Sequence, residues 1–278
     1  MTTSPDVAIC SPTGHALYVF CLARVDALTT IDGTGLDGAG RLQLIPFTDL
    51  VAVVSTVSVD DFCGPAAEAR LKDLAWVGPR ACRHEAVVEW AMRSSPIVPA
   101  RFATLFSSRE RLEAWLEGHH AAISGTLDRV AGHEEWAVRG RLDKQNAEAR
   151  LLAAALERDR RALSHSPGAR YLEEHRIRAR VGQELDIWVK EVGERVATEL
   201  LVHAAEFRER TIVPRALLAD GIGILNWAFL VARRTVGDFS ASVQRINGEL
   251  GERGVVLEVS GPWPPYSFCP PLELGSLA

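Results

Sequence analysis

The chain has no C-x-x-C pair and no even set of cysteines: Cys10, Cys21, Cys63, Cys82 and Cys269 are scattered and odd in number. Neither a disulfide framework nor a zinc knuckle is written in such spacing, and the usage is that of a reducing compartment. Long apolar runs are missing too. No stretch approaches the roughly 20 residues needed to span a bilayer, and the opening M-T-T-S-P-D lacks the basic region and apolar run of a signal peptide, so the chain is expected to be cytoplasmic. Positive charge is not in excess: 31 Lys and Arg stand against 36 Asp and Glu, for a net charge of -5 and a pI near 5.9. That balance argues against a surface built for nucleic acid. What is plentiful is ordinary globular material, with 47% hydrophobic residues, 24% charged residues and a mean hydropathy of +0.03 over 278 residues. This is enough for a sizeable core in one or two domains.

Motifs of catalysis and cofactor binding are equally scarce. Gly33-Thr34-Gly35-Leu36-Asp37-Gly38 matches G-x-G-x-x-G, but the strand-like R-L-Q-L-I-P-F follows it. The dinucleotide fingerprint needs a helix there to receive the pyrophosphate, so the run reads as a flexible turn. Cys82-Arg83-His84-Glu85 has the residue types of a reactive cysteine, yet positions two apart on a helix point to different faces, which favours structural roles. His119, His120 and His133 do not make H-E-x-x-H and have no cysteine companions, so they read as packed or solvated histidines. There is no G-x-S-x-G, no Walker sequence and no paired-carboxylate motif. No catalytic residue, cofactor or metal is expected.

Periodicity organises the first half. Strands are predicted at residues 15–25, 42–47 and 50–57, the last two forming a hairpin across Thr48 and Asp49. Helices are predicted at 66–76 and 79–93, the second with Pro79 near its first turn, then a strand at 97–106 and a helix at 108–130 capped by Ser108. Arg101 stands out inside the apolar I-V-P-A-R-F-A-T-L-F run, where a guanidinium must snorkel or find a carboxylate.

In the second half, E-W-A-V-R-G-R-L alternates Trp136, Val138, Gly140 and Leu142 against Glu135, Ala137, Arg139 and Arg141, the pattern of a half-buried strand. A charged helix at 143–163 stops at the S-H-S-P-G break. A long helix at 171–205 follows, with Ile177, Val181, Leu185, Trp188, Val192, Val196 and Leu200 on one stripe. At 1.5 Å per residue it would reach about 50 Å, longer than a small sheet can cover, so part of it should project and pair with the preceding helix. Strands at 206–213 and 222–232, a helix at 238–252 and a strand at 255–260 complete the order β-α-β-β-α-β, which fits a ferredoxin-like split βαβ unit. The apolar 222–232 strand should then be interior and the charged 206–213 strand an edge.

The last strand runs into S-G-P-W-P-P-Y-S-F. There Pro262, Pro264 and Pro265 stiffen the backbone and hold out Trp263, Tyr266 and Phe268 as pre-ordered aromatics. Two uses are open: packing across the protein's own surface, where the tail could fix the relation of two domains, or docking a partner.

Taken together, Y-V-F-C-L-A (18–23), D-L-V-A-V-V-S (49–55), H-E-A-V-V-E (84–89), P-I-V-P-A-R-F-A-T-L-F (96–106), E-W-A-V-R (135–139), S-P-G-A-R-Y-L (166–172), L-N-W-A-F-L-V (225–231) and the closing S-G-P-W-P-P-Y-S-F resemble the gas vesicle protein F/L family. The resemblance runs over most of the chain, and the order and spacing of these stretches carry it. One departure is Ala103, where relatives usually have glycine in an R-F-G-T run. The resemblance implies an α+β protein of two domains: an N-terminal α+β domain at 1–132, and a ferredoxin-like domain with a long helical hairpin at 133–278 that includes the tail. It further implies a minor gas vesicle component, monomeric and not an enzyme, that binds the hydrophobic shell protein GvpA during assembly. Arg101, Phe102, Trp263, Tyr266 and Phe268 are the candidate partner-binding or domain-interface residues. A ligand-binding regulatory protein or enzyme on a ferredoxin-like scaffold is the alternative, which a convergent polar cluster in a deep pocket would favour.

Overall fold

β1 (His15–Arg24) is the hub of the first half because almost every side chain along it is buried, as its aromatic and aliphatic composition requires. It pairs antiparallel with β3 (Leu50–Ser58), which pairs antiparallel with β2 (Leu42–Phe47), so the predicted hairpin is formed. A computed structural model of the chain describes residues 14–159, 166–212 and 221–270. The first 13 residues, and with them Cys10, lie outside those described. On its other side β1 pairs with two short strands, β4 (Ile97–Pro99) and β5 (Leu105–Phe106). A bulge between Val19 and Cys21 shifts the β1–β3 register. The sheet is covered on both faces. One core gathers Tyr18, Phe20 and Val53 with Val88 and Ala91 of α2 (Leu74–Ser94), and another gathers Val19, Leu22 and Val54 with Leu112, Leu116 and Leu127 of α3 (Arg109–Val130).

Three details differ from expectation. The helix break falls at Asp73, not before Pro79: α1 (Pro65–Lys72) ends there, and the Asp73 carboxylate caps α2 by accepting from Ala75 N at 2.9 Å. Pro79 lies inside α2. The 97–106 segment is two strands separated by a turn, in which Thr104 N and Oγ1 both donate to Arg101 O and Ala103 has φ 67°. Arg101 is therefore not in a strand; it is exposed and has no carboxylate partner among the described residues. Finally, the glycine run is an ordered loop rather than a loose turn. Gly35 N donates to Gly40 O, Asp37 accepts from Ala39 N and Gly40 N, and Leu36 is buried in the core. A Cβ on Gly35 would lie 2.5 Å from that of Ser55, so this close approach requires glycine.

The second half holds a separate sheet in the order β7-β8-β6-β9, made of β6 (His133–Leu142), β7 (Ala204–Glu209), β8 (Ile222–Ala232) and β9 (Val255–Trp263). The nearly continuous apolar β8 is interior, antiparallel to both β6 and β7, and β7 is an edge, as the sequence predicts. The predicted 206–213 strand overshoots, since β7 ends at Glu209 and residues 210–212 are not in it; Val213 and the end of the predicted 143–163 helix lie outside the described residues. α4 (Lys144–Asp159) and α5 (Pro167–Leu201) form the helical pair. The α5 stripe is divided by length. Leu185, Val192, Val196 and Leu200 pack on the sheet together with α6 (Val236–Leu250), whereas Ile177 and Val181 pack against Leu151, Leu152 and Ala155 of α4. The sheet cannot cover a helix of this length, so the remainder is covered by its neighbour.

The chain divides into two compact units, one of residues 1–132 with 263–278 and one of residues 133–262. The tail, assigned to the second half from sequence, groups with the first unit from Trp263 onward.

Candidate functional site

Within the first unit, residues 263–270 form a strap whose short helical turn (Tyr266–Phe268) meets α2 and α3. Proline supplies rigidity, and the turn is closed by Tyr266 N donating to Pro264 O at 2.7 Å and Phe268 N to Pro265 O at 3.1 Å. Phe268 is buried at 2% exposure, and its carbonyl accepts from Arg129 of α3. Trp263 remains 40% exposed. The strap thus anchors on this unit through Tyr266 and Phe268, and much less through Trp263.

Tyr266 reaches a cluster that sequence reading did not assemble. His84 of α2, 3% exposed, stacks on Phe20 and lies edge-on to Tyr18 and Phe102 at centroid distances of 5.7 to 6.0 Å. Its Nδ1 is 2.8 Å from Tyr18 Oη and its Nε2 is 3.2 Å from Tyr266 Oη. Tyr266 Oη in turn donates to Glu85 Oε2 at 3.2 Å, and Ala103 N donates to Tyr18 Oη at 3.4 Å. With Glu85 ionised, one proton arrangement satisfies all four contacts. Because the Tyr266 hydroxyl proton goes to the Glu85 carboxylate, Tyr266 must accept from His84 Nε2–H; Nδ1 is then bare and accepts the Tyr18 hydroxyl proton. The relay runs in one direction, from the Ala103 amide through Tyr18, His84 and Tyr266 to Glu85.

The surroundings hold the imidazole neutral. Burial among aromatic rings pushes the His84 pKa down to about 4, and the same desolvation raises Tyr18 and, with help from the Glu85 charge, Tyr266. Burial also raises the Glu85 carboxyl, and pushes the Cys21 thiol up to about 12. Every polar group in the slot is therefore driven toward its uncharged form, which suits a structural relay better than acid–base work near neutrality.

The candidate residues are only partly brought together. Phe102 and Tyr266 meet at His84, Phe268 is buried with its carbonyl on Arg129, and Arg101 and Trp263 are exposed. Cys82 is exposed and His84 buried, so the two do fall on different faces of α2. His119 stacks on Trp115, and His120 Nε2 lies 2.5 Å from Asp49 Oδ1. Among the described residues no three His, Cys, Asp or Glu side chains converge to hold a metal, and no helix is long and apolar enough to cross a membrane.

The left-handed turn at Ala103 makes a direct prediction. An L-residue at φ 67° is strained by about 1–2 kcal/mol relative to glycine, and glycine gives back part of that through its freer unfolded chain. Ala103→Gly is expected to raise stability by roughly 0.5–1 kcal/mol in urea unfolding, with the relay intact. A loss of stability would contradict the reading of this turn.

Comparison with known proteins follows the whole chain rather than any one cluster. Residues 16–270 match the profile of the family described as gas vesicle synthesis protein GvpL/GvpF. Gas vesicle protein L of Streptomyces sp. (strain CB03234) is 30% identical over 268 residues, covering 92% of this chain and 93% of that protein. Gas vesicle protein F of Haloferax mediterranei is 24% identical over 253 residues, covering 91% and 92%. Among solved structures, GvpF from Anabaena sp. PCC7120 superposes with a TM-score of 0.67 at 20% identity, over 92% of this chain and 96% of that one. GvpF from Microcystis aeruginosa gives 0.65 at 16% identity, over 92% and 99%. These two likenesses concern the fold. With a family profile matched from the first strand to the strap, the chain belongs to the GvpL/GvpF family of gas vesicle synthesis proteins.

Proposed function

We propose that this protein serves gas vesicle formation by binding the hydrophobic shell protein GvpA before assembly and keeping it from aggregating, and that it catalyses no reaction. The observation that carries the proposal is the family match over residues 16–270. The physical need is plain: a subunit that will bury a large apolar surface in a vesicle wall exposes that surface until it is assembled. An acidic chain with net charge -5 is a suitable soluble partner for it. Binding only the unassembled form would keep subunits available for nucleation, and residual binding would leave this protein as a minor wall component.

Pairing at a sheet edge is the mode best supported. β7 is an edge strand, and an edge offers unpaired backbone groups to an incoming strand. The exposed turn at Arg101 is a second surface. The convergent polar groups of the His84 relay are spent on one another beneath the strap, which does not favour the ligand-binding or enzymatic alternative. Co-expression of tagged protein with GvpA tests the reading: GvpA is expected to co-purify and to shift into the soluble fraction. If GvpA does neither, and deletion of the gene leaves vesicle formation intact, the assembly role is wrong.

A further inference from the structure

The relay beneath the strap is built so that its order depends on one proton. We propose that the strap at residues 263–270 is an acid-released latch: when His84 gains a proton, the strap leaves the aromatic slot while the sheet beneath it stays folded.

The argument is geometric. In the neutral ring, Nδ1 accepts from Tyr18 and Nε2–H donates to Tyr266, and both tyrosines are already committed on their far sides, Tyr18 to the Ala103 amide and Tyr266 to Glu85. A second ring proton, on Nδ1, points at a Tyr18 oxygen that is itself donating to Nδ1. Tyr18 must then turn its hydroxyl away, in a slot where Phe20 and Phe102 offer it no acceptor. The imidazolium also needs more hydration than the aromatic walls and the single Ala100 carbonyl can replace. Of the two nitrogen edges, the Nε2 edge is covered by the strap through the Tyr266 hydroxyl, whereas the Nδ1 edge is covered by Tyr18 of the sheet. Displacing Tyr266 is therefore the least disruptive way to admit water.

The groups that face His84 do not all push one way. From β1 comes Tyr18, from α2 Glu85 with Glu89 nearby, from the segment after β4 the Ala100 carbonyl, which favours the protonated ring, and from the strap Tyr266. Ionised Glu85 favours the imidazolium, but its own pKa is raised by burial, so falling pH neutralises it. Protonated Glu85 no longer favours the imidazolium and so opposes release; Glu85→Gln fixes that neutral state at every pH, so the pH dependence that remains is that of His84. For His84 the sign is settled by its depressed folded value. The closed strap is fully favoured above the ordinary histidine pKa of about 6.5 and progressively loses that advantage as pH falls toward about 4. With those two values the opening constant is expected to rise roughly 30-fold from pH 7.5 to pH 5.

Hydrogen exchange on the full chain, corrected for the intrinsic pH dependence of the rates, reads this opening. The amides of Tyr266 and Phe268, bonded inside the strap, are expected to exchange roughly 30-fold faster at pH 5 while the amides of β1 keep their protection. His84→Gln, which cannot take up the proton, is expected to abolish the difference, and Glu85→Gln to retain or sharpen it. Should His84→Gln fail to fold, a wild-type titration of the His84 ring nitrogens by NMR replaces it, since its midpoint must coincide with that of strap exchange. The proposal is overturned if strap and β1 lose protection together, if neither changes, if His84→Gln opens like the wild type, or if the two midpoints differ.

Discussion

Ending the chain at Pro262 is expected to destabilise the first unit by roughly 4 kcal/mol, most of it traceable to one side chain. Phe268 is almost fully buried, and Phe268→Ala alone should cost about 3 kcal/mol in lost burial and residual cavity. Tyr266→Phe keeps the ring but leaves His84 Nε2–H and Glu85 without the hydroxyl they share, a further cost of about 1–2 kcal/mol. The two effects share a segment and will not simply add. Trp263→Ala, at a position 40% exposed, should matter least of the three aromatics. A loss of this size is within the 5–15 kcal/mol typical of domains, so the truncated chain should still fold and can be measured by urea unfolding with β1 amides as reporters. If the truncated protein melts unchanged but no longer retains GvpA, the strap is a docking element and not part of this unit's core.

The fold and the site were legible in the sequence to different depths, for physical reasons that particular residues make clear. The α5 stripe from Ile177 to Leu200 could be read because a helix that buries one face must repeat its apolar residues, and every member proved buried or packed against the core. The interior place of β8 and the edge place of β7 followed in the same way from composition. Residues 97–106 could not be read correctly. The run is apolar throughout, and what divides it is a left-handed backbone at Ala103, a conformation that the residue itself does not advertise. The only signal was the glycine expected there from the family resemblance. The relay was hidden for another reason. Tyr18, His84 and Tyr266 are separated by 66 and 182 positions, and no local spacing relates them. Their residue types, each with a polar tip on an aromatic body, were the available hint, since such groups find partners when buried.

Glu135 shows how the alternation rule fails where a charge is paired, and it carries the second large effect. The pattern of β6 places Glu135 and Ala137 on the face opposite Trp136 and Val138, yet both are buried, Glu135 at 1% exposure. Arg210, following β7, donates Nη2 to its Oε1 and so helps to hold a carboxylate there. Breaking such a pair from one side typically costs about 3–5 kcal/mol, and the 29% exposure of the Arg210 side chain lowers the expectation for Arg210→Ala to about 2–3 kcal/mol. The signature lies in the pH dependence and the double variant. With the guanidinium gone, a protonated Glu135 carboxyl is less costly to bury than a carboxylate, so the variant is expected to regain stability relative to wild type as the pH falls. Glu135→Gln combined with Arg210→Ala should likewise recover part of the loss at neutral pH, because the buried carboxylate that the guanidinium offset is also gone. Urea unfolding of the single and double variants at pH 7 and pH 5 measures both. A double variant no more stable than Arg210→Ala, with a loss that does not change with pH, would mean that Arg210 acts through packing of its stem and not through the charge of Glu135.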